Sequence, residues 1–178
     1  YMMQIDSLNV ANKQLREENA KVTRWYREVA QTASQLKQER EELTEKVTLA
    51  AKLDAVGIVV TPIDSRGKTA KKIKKTDKIK ITFSIAKNVT AEVGEKYIYA
   101  RIVKPDGDVL VKDRADVFPF EDREINYSCR KLIEYTGEEL NDVTMYWAVE
   151  EFLYPGEYRV DIFADNYMIG TRSFTLKQ

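Results

Sequence analysis

The side chains able to do chemistry are few in kind. The 178 residues hold one cysteine and no histidine. Without imidazole there is no histidine general base, no histidine triad and no histidine metal ligand. Cys129 lies between Ser128 and Arg130. It lacks the base that activates a thiol, so it reads as a small apolar side chain in a strand. A lone cysteine also excludes an intrachain disulfide and a cysteine zinc cluster. Carboxylates remain: Glu138-Glu139, Glu150-Glu151, and Asp106 with Asp108. Acid pairs can act in hydrolysis or hold calcium, but these spacings match no calcium loop. A hydrolase or sugar-binding reading would need a concave acidic cluster, which spacing does not reveal. The seven glycines are scattered and form neither a phosphate loop nor a dinucleotide fingerprint. No catalytic, cofactor-binding or metal residue is therefore assigned, no cofactor is expected, and the chain is read as a non-enzyme. Asn88-Val89-Thr90 and Asn126-Tyr127-Ser128 match the glycosylation triplet, which often arises by chance.

The other chemically pointed stretch is Asp64 to Lys80, DSRGKTAKKIKKTDKIK. It carries eight basic residues against two acids, while Ile81 to Gln178 carries twelve against eighteen. Over the whole chain 29 basic residues balance 29 acidic ones, so no global field points at nucleic acid or membrane. Lys71, Lys72, Lys74 and Lys75 are the candidate anion contacts, because clustered lysines neutralise several phosphates at once. Nucleic-acid binders add arginine and interleaved aromatics, and Arg66 is alone here. The basic run reads first as a charged loop or strand edge that sits against the acidic sheet domain. A nucleic-acid-associated protein binding through residues 66–80 is the alternative function.

Two kinds of element must carry these residues. From Ile5 to Leu53 there is no Gly and no Pro. With Ile5 at heptad position a, the d column is Leu8, Leu15, Val22, Val29, Leu36, Leu43 and Ala50, all apolar. The a column is mixed: Ile5, Asn12, Asn19, Tyr26, Ala33, Arg40 and Val47. Seven heptads with a clean d column predict a coiled coil, a helix roughly 70 Å long at 1.5 Å per residue. Buried asparagine at a lowers stability but pairs well with its own copy across a parallel, in-register seam. Trimers, antiparallel pairs and slipped registers would each bury an unsatisfied amide. Asn12 and Asn19 thus point to a parallel homodimer, with a trimer as the next possibility, since the e and g columns are not clean. Trp25 and Tyr26 interrupt the seam as a bulky step or a contact for a partner.

Beyond Asp54 the period changes to two. Val56 to Pro62 is β-branched and reads as a first strand. Ile79, Ile81, Phe83 and Ile85 alternate with polar residues. In Lys96 to Val103, Ile98, Ala100 and Ile102 share one face and Tyr97, Tyr99 and Arg101 the other. Pro105-Asp106-Gly107-Asp108 marks a tight turn, with Val109-Leu110-Val111 returning. Ile125 to Cys129, extending toward Tyr135, Val143 to Val149, and a hairpin of Glu157–Ala164 with Met168–Leu176 complete the series. The fold class is thus α plus all-β: a long N-terminal coiled-coil helix, residues 1–54, then an antiparallel immunoglobulin-like β-sandwich, residues 55–178. YPGEYRVDIF resembles the tyrosine corner of such sandwiches, with the Tyr158 hydroxyl bonding nearby backbone.

The stretches QIDSLNVANKQLREEN, KKIKKTDKIKITFSIAKN, YIYARIVKPDGDVL and YPGEYRVDIFADNYMIGTRSFTL together touch most of the chain. Their layout resembles uncharacterised bacterial membrane-anchored coiled-coil proteins with a C-terminal immunoglobulin-like β-sandwich. Some of these carry a chromosome-segregation label because of the coil alone, and the missing nucleotide-binding loop sets that label aside here. The resemblance implies a membrane segment upstream of this chain and a domain held in the bacterial periplasm, with the cytoplasm as alternative. Tyr1 in place of an initiator methionine, with heptads running by Ile5, agrees with a fragment. No run of about 18 apolar residues is present. The expected function is a structural or interaction protein of the cell envelope: a parallel homodimer whose sheet faces, bearing Tyr97 and Tyr99, contact another protein.

Overall fold

The computed structural model describes residues 2–178 and divides the chain into two compact units, the first ending at Thr48 and the second running Leu49–Gln178. One helix, α1 (Met2–Ala50), makes up the first unit and ends in the second. Its run free of Gly and Pro lets the backbone ladder continue for 49 residues. Thr23, Thr44 and Thr48 return their hydroxyls to the carbonyls four residues earlier, so these β-branched side chains do not compete for other backbone. No residue of α1 is buried. Past the last helical turn, the Asn88 side-chain amide donates to the carbonyls of Ala50 and Lys52, both at 2.9 Å. Those are carbonyls that a helix end leaves without an internal partner.

The second unit is built of nine strands: β1 (Ala55–Ile63), β2 (Lys78–Ile85), β3 (Gly94–Val103), β4 (Val117–Phe120), β5 (Arg123–Asn126), β6 (Cys129–Tyr135), β7 (Leu140–Ala148), β8 (Gly156–Ala164) and β9 (Tyr167–Leu176). All pairings are antiparallel. A three-stranded sheet has the order β1-β2-β7, a four-stranded sheet β6-β3-β8-β9, and β4 with β5 forms a separate hairpin. One core joins the two larger sheets. It takes Ile79, Ile81, Phe83 and Ile85 from β2, Ile98, Ala100 and Ile102 from β3, and Tyr158, Val160 and Ile162 from β8. Each lies at every second position, because successive strand residues point to opposite faces. Ten fully or nearly fully covered side chains from three strands make apolar burial the main favourable term of this unit.

Local conformations set the register. Gly57 has φ of +62°, and the β1–β2 pairing slips between Val56 and Val59, a bulge that turns the strand. Gly170 on β9 lies beneath β1: a Cβ there would fall 2.7 Å from Ile58 Cδ1. The β8–β9 loop is only two residues, Asp165 and Asn166, both at positive φ, the geometry of a type I′ hairpin. Its Asn166 Oδ1 accepts the Glu121 N–H at 2.8 Å, which pins the β4–β5 turn to the four-stranded sheet. The Tyr158 hydroxyl donates to the Tyr154 carbonyl at 2.8 Å.

The structure departs from the sequence-based expectations in three places. Val109 makes only an isolated bridge to Val103, so Val109-Leu110-Val111 is no strand. Leu110 is nonetheless buried, held by its N–H on the Ile102 carbonyl. The expected strand from Ile125 to Tyr135 is broken at Tyr127-Ser128, where the chain passes from β5 to β6. Ser128 causes the break: its hydroxyl donates to the Leu110 carbonyl and accepts the Ile102 N–H, both buried. β4 was not expected, because Val117-Phe118-Pro119-Phe120 is too short to show alternation.

Candidate functional site

The heptad column lies on one face of α1 and is solvent-exposed. Leu8, Leu15, Leu36 and Leu43 expose between 56% and 64% of their surface. Ile5, Val22, Val29 and Val47 are exposed as well. Asn12, Asn19, Ala33 and Arg40 share this uncovered helix. Trp25 and Tyr26 meet edge to face, ring centroids 5.2 Å apart, and both are exposed. A single helix this long, apolar on one stripe and covered nowhere, does not bury enough surface to hold itself together in water. The arrangement can bind another helix.

The basic segment is an ordered loop. Asp64 Oδ1 accepts the N–H groups of Arg66 and Lys68. The Lys68 N–H above all holds the Asp64 carboxyl below its usual range; desolvation opposes it, and the Arg66 N–H and the charges of Arg66 and Lys68 add to the lowering. Ile73 opens a 3-10 turn (Ile73–Lys75), donates its N–H to the Lys177 carbonyl and packs on the core. The side chains of Lys71, Lys72, Lys74 and Lys75 are exposed, and none of them joins an ion pair among the described residues. Their expected seat against the acidic part of the domain is therefore not formed through salt bridges. The loop is anchored by apolar and backbone contacts, which leaves the ammonium groups to water.

The outer face of the four-stranded sheet is aromatic. The β4–β5 hairpin closes over part of it, and Phe118 stacks flat on Tyr99 with centroids 4.3 Å apart and planes 6° apart. Tyr127 and Phe163 complete that cluster. Of the two tyrosines expected to face a partner, only Tyr97 is exposed. Tyr99 is half-buried beneath the unforeseen β4. Tyr97 stands exposed beside its cross-strand neighbour Leu132, with the Arg130 guanidinium 5.0 Å from its ring centroid. Phe152 and Tyr154 form a second exposed aromatic pair, edge to face at 4.9 Å.

Further along the same outer face stands Arg101. Its cross-strand neighbour is Asp161, whose carboxylate accepts from Arg159 Nε and Nη2 and from Thr171 Oγ1. Burial lowers the Arg101 pKa, Asp161 opposes this, and Arg123 and Arg159 add to it. Sequence reasoning did not single out Arg101, because its neighbours on other strands are invisible in the local pattern.

The remaining candidates have structural uses. Cys129 pairs with Ala100, and burial pushes its thiol up to about 12. A thiol so far from ionisation at neutral pH is a poor nucleophile. Both glycosylation triplets are engaged: Asn126 Nδ2 donates to the carbonyls of Arg114 and Asp116, and Asn88 uses both ends of its amide. Glu151 pairs with Lys104 at 3.4 Å, Glu138 with Lys87 at 3.6 Å and Glu150 with Lys112 at 4.0 Å. Glu150 and Glu151 are thus tied to different lysines, while Asp106 Oδ1 accepts the Asp108 N–H at 3.0 Å. No helix among the described residues is long and apolar enough to cross a membrane.

Comparison with known proteins agrees with the two-part layout. Residues 1–41 match a coiled-coil region of unknown function (DUF8429), and residues 56–177 match a domain of unknown function (DUF8428). No curated protein matches the chain. Among solved structures it is similar to alkylpurine DNA glycosylase AlkC from Pseudomonas fluorescens, bound to DNA containing an abasic site analog. That match has 14% identity and a TM-score of 0.39 over 72% of this chain and 31% of the other. It is also similar to β-glucosidase from Kluyveromyces marxianus, with 13% identity and a TM-score of 0.42 over 71% of this chain and 14% of the other. The chain therefore spans less than a third of the length of either protein. With its antiparallel sheets matched over 122 residues, from Val56 to Lys177, the chain belongs to the DUF8428 family and carries a coiled-coil region ahead of that domain.

Proposed function

We propose that this chain is a non-enzymatic interaction protein. Two copies pair through α1 as a parallel coiled coil, and each presents an antiparallel β head to a protein partner. The observation that carries this reading is the 49-residue helix without one buried residue, bearing an uncovered apolar d column. The occupant of that stripe is a second copy of the chain. Asn12 and Asn19 are best satisfied by their own counterparts in a parallel, in-register pair. Glu39 at g neighbours Arg40 at a, so the partner's guanidinium has a carboxylate within the same seam.

The head is proposed to be an immunoglobulin-like sandwich. The three- and four-stranded sheets share one core, and the Tyr158–Tyr154 bond has the form of a tyrosine corner. Tyr97, Leu132 and Arg130 are the proposed partner contacts, since exposed aromatic and arginine side chains are the usual anchors of protein interfaces. The proposed compartment is the bacterial periplasm, on the resemblance in layout alone. Fractionation of the native protein tests it.

Sedimentation equilibrium tests the pairing, on this chain and on Asn12→Ile with Asn19→Ile. The wild type is expected to be a dimer. The variant is expected to associate more tightly and to populate species above the dimer, because the amide penalty on other assemblies is gone. A monomeric wild type at all concentrations would overturn the proposal. The second reading, nucleic-acid association, rests on the unpaired exposed Lys71, Lys72, Lys74 and Lys75. It requires duplex binding that falls steeply with salt and disappears when these four become Glu.

A further inference from the structure

Among the described residues one buried side-chain nitrogen or oxygen has no hydrogen-bond partner, and it is Arg101 Nε. Buried polar groups are nearly always satisfied, so a single exception has a physical cause to be found. The cause begins with Asp161. This acid lies directly across the β3–β8 pairing and would be the natural partner of Arg101. Arg159 and Thr171 occupy its oxygens instead, at 2.8–3.2 Å. Arg101 is left with its fork of donors uncommitted.

Arg101 lines a cavity of about 550 Å³. Arg114 lines the same cavity from the loop before β4, and no ion pair among the described residues involves it. Arg114 is placed by Asn126, another wall residue, whose amide donates to the Arg114 carbonyl at 2.9 Å. Lys104 and Glu151 also face the cavity but neutralise each other at 3.4 Å. Asp108 is the remaining acid. Two uncommitted guanidiniums against one carboxylate leave a positive surplus in a recess with a partly desolvated wall.

We propose that this cavity is a binding site for a small-molecule oxyanion, a carboxylate or a phosphate, held between the guanidiniums of Arg101 and Arg114. Guanidinium presents paired N–H donors in a plane, which suits both oxyanions, and a charge-assisted bond is about twice as strong as a neutral one. The site lies in the DUF8428 domain and does not depend on the pairing of α1.

The test is a titration of the full chain with sodium acetate and, separately, inorganic phosphate, at constant ionic strength. The readout is the arginine Nε–Hε resonances by NMR. The Arg101 resonance is expected to shift and saturate with at least one anion, and the responding anion names the chemistry. Arg114→Gln, at an exposed position, is expected to keep the wild-type amide spectrum and weaken binding about 10-fold or more. Lys72→Gln with Lys74→Gln is expected to leave binding unchanged, which separates a built site from the field of the basic loop. A linear, unsaturating shift with both anions would overturn the proposal. So would an unchanged affinity in Arg114→Gln, or an equal loss in the lysine variant.

Discussion

Leu36→Ala is the sharpest probe of the helix seam. Leu36 sits at d, and 60% of its surface is uncovered in the single chain. Truncation to alanine removes three carbons, about 2.4 kcal/mol if wholly buried at about 0.8 kcal/mol each. Only the uncovered fraction can be buried by a partner, so the loss is about 1.5 kcal/mol per chain. A dimer contains the site twice, for about 3 kcal/mol, or about 100-fold in dissociation constant. Helix propensity does not contribute, since alanine is at least as good a helix former as leucine. Gln38→Ala is the control. Gln38 lies on the opposite face, its amide reaching only Glu42 at 3.4 Å, and its change should stay within about 0.5 kcal/mol. Sedimentation equilibrium over several decades of concentration reads both constants. If Leu36→Ala and Gln38→Ala weaken association equally, or neither does, the seam is not where the chains meet.

Three further outcomes follow from the second unit. Ser128→Ala strands the Leu110 carbonyl and the Ile102 N–H, both buried, and should cost about 2–3 kcal/mol in denaturant unfolding. A change below measurement error would mean that water reaches this corner. Gly170→Ala places a methyl 2.7 Å from Ile58 Cδ1 and 3.0 Å from Ala55 Cβ, so it should cost about 1–3 kcal/mol and loosen β1 in hydrogen exchange. Unaltered protection of the β1 amides would show that Ile58 simply rotates away. For Cys129, burial raises the folded thiol to about 12. The unfolded thiol ionises at about 8.5, so its contribution to stability is fully present below that pH and is lost as pH climbs toward 12. Folded protein should therefore resist a thiol-specific reagent at pH 8, and Cys129→Ala should flatten the alkaline limb of the stability curve. Rapid labelling of the folded protein at that pH would contradict the raised thiol pKa.

Much of the fold was legible because hydrophobic period is a local property. The d column from Leu8 to Leu43 needs only neighbours three and four residues away to declare a helix. Ile79 to Ile85 and Tyr158 to Ile162 need only the alternation of a pleated strand. The β8–β9 hairpin, whose turn was expected between Ala164 and Met168 and is one residue shorter because Tyr167 joins β9, and the Tyr158 hydroxyl bond likewise involve short chain separations. What failed to read was set at long range. Leu110 is buried by a bridge and a backbone bond rather than by belonging to a strand. β4 is held by Phe118 stacking on Tyr99 of another sheet, so the tyrosine expected to face a partner is covered.

Charge followed the same division. Residue types alone determined that histidine chemistry is absent, that Cys129 lacks a base and that the lysines of residues 71–75 form a local basic run. Which charges are spent was decided only by tertiary structure. The lysines stand in water, Glu151 is tied to Lys104, and Asp161 is claimed by Arg159 and Thr171. Arg101, unremarkable among 29 basic residues, keeps an unpaired buried donor because β3, β8 and β9 meet in this register. Periodicity is written between adjacent residues and survives as sequence. Pairing is written across strands far apart in the chain, and it exists only once the sheets have closed on their core.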